Sequence, residues 1–213
     1  EGKTPDEITS RWGRVTDFLT DDQGGSDDTE YALFSAKLLL EKKRELTSAD
    51  VAKAWRRDII KSDNAYKGAG FSEIIAIANL SNGLQPPQSG QHLHSWSDGL
   101  AMRVAPFGIA LVGDPHLAAN LTKISGEVSN SGEGIYSGQA VAAAISIAMT
   151  GAPLKKIIDA ALNVVPKDSW TYNSINQAVK IGYESTDVWS SLKPLHSSIA
   201  CSYYFWSDAA PDA

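Results

Sequence analysis

The sequence predicts an all-α protein. Apolar residues recur at three-to-four spacing rather than in alternation. N-cap residues followed by first-turn prolines or acids punctuate the chain. Val and Ile fall inside the helical periods, so no pair of alternating runs marks a hairpin. A chain of 213 residues is long enough for one sizeable domain with its own core.

Thr4-Pro5-Asp6-Glu7 combines an N-cap, a first-turn proline and two acids at the positive end of the helix dipole, and predicts a helix to about Leu19. A polar stretch from Thr20 to Asp28 contains Gly24-Gly25. A second helix is expected from Thr29 to about Arg44, with Ala32, Leu33, Ala36, Leu39 and Leu40 on one face and Lys42, Lys43 and Arg44 at its negative end. Thr47-Ser48-Ala49-Asp50 is a capping-box start for a helix over Ser48 to Ile60, and Ser72 to Leu80 predicts a short helix.

Ser81 to His94, rich in Gly, Pro, Gln and Ser, reads as a loop. An apolar stretch follows from Asp98 to Val112. Asp114-Pro115 opens a helix to about Ile124. Ser129 to Gly138 reads as a second Gly-rich loop, feeding an Ala-rich helix, Gln139 to Thr150, that Gly151 closes. Its small side chains allow close packing, so it is expected to be central. Pro153 opens a helix to about Val164, Asp168 or Ser169 caps the next, and Ser190 to Trp206 reads as helical and partly buried.

The formal net charge of −6 repels phosphate backbones, and no basic run offsets it, so a nucleic-acid partner is not expected. Cys201 is the single cysteine and can form neither an internal disulfide nor a thiolate zinc site. A reducing, cytoplasmic compartment is the matching expectation. No apolar run reaches membrane-spanning length, so no membrane partner is expected.

Three segments could carry chemistry. Gly24-Gly25-Ser26-Asp27-Asp28-Thr29-Glu30 sets two carboxylates and a hydroxyl after a flexible Gly pair. Such oxygen donors suit hard cations, and the same residues also serve as plain N-capping groups. His94-Ser95-Trp96-Ser97-Asp98-Gly99-Leu100-Ala101-Met102-Arg103-Val104-Ala105-Pro106 is a polar loop entering an apolar segment. Its Asp98 could accept hydrogen bonds from ribose hydroxyls, or could simply cap a helix above a core-facing Met102. His92 and His94, two apart in a loop, could ligate a metal but read rather as solvated loop histidines. Ser129-Asn130-Ser131-Gly132-Glu133-Gly134-Ile135-Tyr136-Ser137-Gly138 is a Gly-rich entry to a helix, able to bind phosphate or to act as an ordinary turn. It lacks the lysine of a Walker A loop, and no Gly-x-Ser-x-Gly elbow occurs.

Taken in order, Ser26-Asp27-Asp28-Thr29, Ser97-Asp98-Gly99-Leu100-Ala101-Met102-Arg103, Val128-Ser129 through Tyr136, and Pro166-Lys167-Asp168-Ser169-Trp170 resemble the ADP-ribosylglycohydrolase family, over a stretch from about Pro5 to Trp206. The resemblance implies a compact all-α domain with two Mg²⁺ ions, Mn²⁺ being a possible substitute, in a central cleft. It implies Ser26, Asp27 and Asp28 as metal ligands, with Asp27 and Asp28 as the catalytic pair. Ser95, Asp98 and Gly99 would lie along the ribose. Asn130, Gly132, Gly134, Ile135 and Tyr136 would bind substrate on the diphosphate or adenine side. The metals would position ribose hydroxyls and a water and stabilise charge at the anomeric carbon.

The chain departs from the family pattern in three ways. Asp98 stands where members usually have Asn, leaving an acceptor but no donor. Asn130 stands where many have His. The Asp-x-Asp-Thr segment that completes the family's metal site is absent, as is the Gly-Asp-Ala-Leu-Gly-type opening. The expectation is therefore one domain over residues 1–213, short of its N-terminal opening and its C-terminal metal ligands. Two functions of different class remain. One is a hydrolase of an N- or O-glycosidic bond to ribose, acting on an ADP-ribosylated protein, a small ADP-ribosyl compound or another N-riboside such as a nucleoside. The other is a non-catalytic binding or structural relative.

Overall fold

The structure, a computed structural model, describes residues 4–16, 26–62 and 69–199. Among these residues there are ten α-helices and no strand, as the periodicity predicts. No helix is long and apolar enough to cross a membrane. The chain divides into two compact units, one drawn from residues 1–24 and 172–212, the other from 25–171.

The larger unit contains α2 (Asp27–Lys42), α3 (Ser48–Ala54), α4 (Phe71–Ser81), α5 (Ala105–Ala110), α6 (Pro115–Gly126), α7 (Glu133–Ala148) and α8 (Leu154–Asn163). The caps form where the sequence places them. Thr47 and Asp50 make a reciprocal capping box at α3, and Asp114 Oδ1 accepts the Leu117 N–H at 3.1 Å at α6. After Ala54 the helix widens into a π-type turn, Trp55–Ile59, and Trp55 is completely buried.

Helix α7 is the centre of this unit and packs against α5, α6 and α8. Its small residues allow that: Gly134, Gly138, Ala140, Ala142, Ala143 and Ser146 are all buried. At the α5 crossing even a methyl group is excluded, because a Cβ on Gly108 would lie 2.6 Å from Cβ of Ile145. Trp55, Phe107, Leu38, Ile77, Leu80 and Leu100, each nearly or wholly inaccessible, fill the rest of the core. Each such side chain contributes about 1.5–3 kcal/mol by leaving water.

The smaller unit contains α1 (Pro5–Trp12), most of α9 (Trp170–Glu184) and α10 (Val188–Ile199). Lys193 pairs with Asp6 at 2.7 Å, and the Arg14 guanidinium lies 4.5 Å from the centre of the Trp189 ring.

Several boundaries differ from expectation. α1 stops at Trp12, because Gly13 takes a positive φ of 69° and donates its N–H back to Thr9. α2 begins at Asp27 rather than Thr29, so both aspartates stand in its first turn. The Gly-rich loop expected to reach Gly138 ends at Gly132. That residue takes φ 56°, and α7 starts at once. Gly134, Ile135 and Tyr136 are therefore helical residues. The Gly24-Gly25 pair, Cys201 and the aromatic run Tyr203–Trp206 lie outside the described residues.

Candidate functional site

Helix α2 presents Ser26, Asp27 and Asp28 at its positive end. Ser26 occupies the N-cap position, yet its side chain makes no capping hydrogen bond. Asp28 is exposed and Asp27 partly so. Four residues on, Tyr31 turns inward, with its ring centre 5.7 Å from that of Trp55. Burial, then the neighbouring Glu73 carboxylate, push the Tyr31 phenol up to about 12; Arg103 opposes this, and Asp27 and Glu30 add to it. Helix α2 also packs against the short 3-10 turn Ala101–Arg103, which carries Arg103 beneath the Tyr31 ring at 5.9 Å.

Behind these groups lies a buried polar network. Glu73, in the first turn of α4, is fully buried, and Arg103 is 1 % exposed. Arg103 Nη1 donates to Glu73 Oε1 at 3.0 Å and to the Gly99 carbonyl at 2.9 Å, and Nη2 donates to Ser129 Oγ at 2.8 Å. Its guanidinium also lies 5.3 Å from the Trp55 ring centre. Burial lowers the Arg103 pKa while Glu73 opposes the shift. Ser72 Oγ donates to Glu73 Oε2 at 3.0 Å and accepts from Ser97 Oγ at 2.9 Å. A Cβ on Gly99 would collide with the Glu73 carboxylate and with Ser72 Oγ. Glycine is what lets the loop lie against the ion pair.

The network ties the second and third candidate segments together. Ser129 Oγ donates to Asn130 Oδ1 at 2.6 Å, and Asn130 Nδ2 donates to the carbonyls of Ser95 at 3.2 Å and Ser97 at 2.9 Å. Ser131 bonds Ser95 twice, through its backbone N–H at 3.1 Å and through its hydroxyl at 2.8 Å. His92 belongs to the same joint rather than to solvent. Its Nε2 is 2.9 Å from the Ser129 carbonyl, and its Nδ1 accepts the His94 N–H at 3.2 Å. Burial holds its pKa below the usual histidine value. His94 stacks on Phe71, with ring centres 5.6 Å apart. The two histidines are thus structural partners.

Ser95, Gly99, Asn130 and Gly134 therefore come together, with Asp98 exposed on the loop they hold. On the other side of the 129–132 turn, a groove of about 450 Å³ is lined by Asn130, Gly132, Ile135 and Tyr136 together with Lys123, Glu127 and the 163–166 segment. Ser26, Asp27, Asp28, Ser95 and Asp98 are not among its lining residues. Glu133 reaches the fourth segment, its carboxylate accepting the N–H groups of Trp170 at 3.0 Å and Thr171 at 2.9 Å. The N–H groups at the start of α9 are thus taken up by a residue 37 positions away, while the Ser169 hydroxyl donates to the Pro166 carbonyl.

Ser26, Asp27 and Asp28 are oxygen donors, which suits a hard cation in kind. In number they do not suffice: among the described residues no three His, Cys, Asp or Glu side chains group closely enough to hold a metal ion. Two aspartates in one regular helical turn also point about 100° apart, so they cannot by themselves enclose an ion.

The sequence reading missed Glu73, Ser72 and His92 as parts of the site, and took Arg103 only as a motif letter. One signal was available. Glu73 is the only charge in the largely apolar Phe71–Leu80 run, and Arg103 is the only charge in the largely apolar 99–112 stretch. Isolated opposite charges in two apolar segments satisfy each other when both segments are buried.

Two comparisons bear on these features. The sequence profile described as ADP-ribosylglycohydrolase matches residues 1–211. An uncharacterized protein of Archaeoglobus fulgidus is 30% identical over 154 residues, a match covering 70% of this chain and 48% of that protein. The chain thus spans about half the length of the curated relative it matches.

Proposed function

The chain belongs to the ADP-ribosylglycohydrolase family, and from that premise we propose that it supplies most of a hydrolase for an N- or O-glycosidic bond to ribose, with ADP-ribose on a protein or a small molecule as the substrate group. The observation that carries this reading is the assembly of the 95–99 loop with the 129–134 turn around one buried ion pair, which leaves Asp98 exposed on a fixed backbone. Ser95, Asp98 and Gly99 would line the ribose, and Gly132, Ile135 and Tyr136 the diphosphate or adenine side.

The family is metal-dependent, and Ser26, Asp27 and Asp28 would be this chain's share of the ligands for Mg²⁺ or Mn²⁺. A bound divalent ion would supply positive charge near the ribose hydroxyls. The part played by the described residues is to bind and orient the ribosyl group. Asp98 favours a substrate that offers hydroxyl donors, since an ionised carboxylate only accepts.

The test uses the full-length protein with Mg²⁺ or Mn²⁺, against an ADP-ribosylated protein, small ADP-ribosyl compounds and nucleosides. Release of the ribosyl group is expected. Asp28→Ala should abolish it while leaving the helical circular-dichroism signal largely intact, because an exposed first-turn side chain contributes little to the core. Full activity in Asp28→Ala would overturn the ligand assignment. Wild-type protein inert toward all three substrate classes would favour the second reading, a non-catalytic relative, which draws support from the incomplete grouping of metal-ligating side chains among the described residues.

A further inference from the structure

We propose that Asn130 is a positioning residue, joining the 95–99 loop to the buried Glu73–Arg103 pair, and that its side-chain amide donors are not substrate contacts. The functional half of this inference rests on the ribosyl-hydrolase reading. The argument begins with what an amide side chain can do. It has two N–H donors and one carbonyl acceptor. In Asn130 both donors are spent, on the Ser95 and Ser97 carbonyls at 3.2 and 2.9 Å, and the acceptor receives Ser129 Oγ at 2.6 Å. The residue is 1 % exposed. A substrate could take a donor from this amide only if one of these buried bonds broke, and at 1 % exposure the remaining lone pair of Oδ1 offers almost no surface.

The same bonds form a relay. Arg103 Nη2 donates to Ser129 Oγ, which donates to Asn130 Oδ1, whose amide donates to the loop. Arg103 Nη1 holds the other end of the loop through the Gly99 carbonyl at 2.9 Å. Ser97 and Gly99 are thereby buried on either side of Asp98, which is exposed. Helix α7 closes the joint, since a Cβ on Gly134 would collide with the Ser95 carbonyl and lie 2.8 Å from Asn130 Nδ2. Asn130 thus fixes the backbone that carries half-buried Ser95 and exposed Asp98.

Two variants of the full-length protein test this. Asn130→Asp keeps the shape and the acceptor but removes both donors, and sets a carboxylate against two carbonyls. Asn130→Ala removes all three bonds. Hydrogen exchange without ligand should quicken about tenfold at residues 95–99 and 129–131 in both variants, with residues 140–148 of α7 unchanged, as expected for local opening. Calorimetry should show ADP-ribose affinity falling about tenfold at the same time. Unchanged loop exchange in Asn130→Asp would overturn the clamp. So would faster exchange throughout α7 in both variants, which would mean general destabilisation. A loosened loop that binds ADP-ribose as tightly as wild type would overturn the positioning role. Wild-type protein that does not bind ADP-ribose would instead overturn the ribosyl reading and the functional half with it, and the exchange result would still decide the clamp.

Discussion

Replacing Arg103 by Met removes the cation at the centre of the buried network while keeping much of its hydrocarbon volume. Glu73, with no exposed surface, would keep only the Ser72 hydroxyl at 3.0 Å. The Gly99 carbonyl and Ser129 Oγ would lose donors at 2.9 and 2.8 Å. Leaving one member of a buried pair uncompensated costs about 3–5 kcal/mol, a large share of the roughly 5–15 kcal/mol that stabilises an ordinary domain. With a urea slope of about 1–3 kcal/mol per molar, the unfolding midpoint of the larger unit should fall by about 2 M. Adding Glu73→Gln removes the stranded charge and should recover part of the loss, leaving about 1–3 kcal/mol for unsatisfied polar groups. Urea titrations followed by circular dichroism would measure both proteins. A single variant costing under about 1 kcal/mol, or a double variant no more stable than the single, would refute the view that charge compensation at Glu73 holds this site together.

Two further outcomes follow from the same geometry. Gly134→Ala should destabilise by about 1–3 kcal/mol, because the new methyl collides with the Ser95 carbonyl; Gly182→Ala, in α9 with nothing within 4 Å of the added carbon, should stabilise by about 0.4–1 kcal/mol, and thermal melts that rank the two the other way would contradict the packing. His92 should titrate below its ordinary value of 6.5 in the folded protein, because burial disfavours the cation and its Nδ1 already accepts the His94 N–H. The unfolded chain then binds the proton more readily, so His92 contributes stability that is full above pH about 6.5 and declines as pH falls toward the folded pKa. A histidine NMR titration placing His92 above 6.5 would refute this.

The helices were legible in the sequence because they rest on local physics. Thr47 with Asp50, and Asp114 with Leu117, satisfy helix-end N–H groups three residues away, and such pairs are visible in any linear reading. The small residues of α7 announced a helix that neighbours approach closely, and it lies at the centre of its unit. Three of the four family segments proved to be linked by hydrogen bonds: the second to the third by buried bonds of Asn130 and Arg103, and the third to the fourth through Glu133.

Only the tertiary structure decided what those segments do to one another. Glu73 and Arg103 are 30 positions apart, and Glu133 and Thr171 are 38 apart. No periodicity relates such residues, because their pairing is set by which helix faces meet once apolar surface has been buried. Asn130 shows the difference most clearly. As a letter in a Gly-rich turn it is a candidate substrate contact, and in the structure it lines the groove beside that turn. In the folded chain its amide is consumed by Ser95, Ser97 and Ser129, because a buried polar group must be satisfied where it lies. Sequence alone determined the helical class and the family. The packing of α2, α4 and α7 around one ion pair decided which polar residues face outward and which hold the others in place.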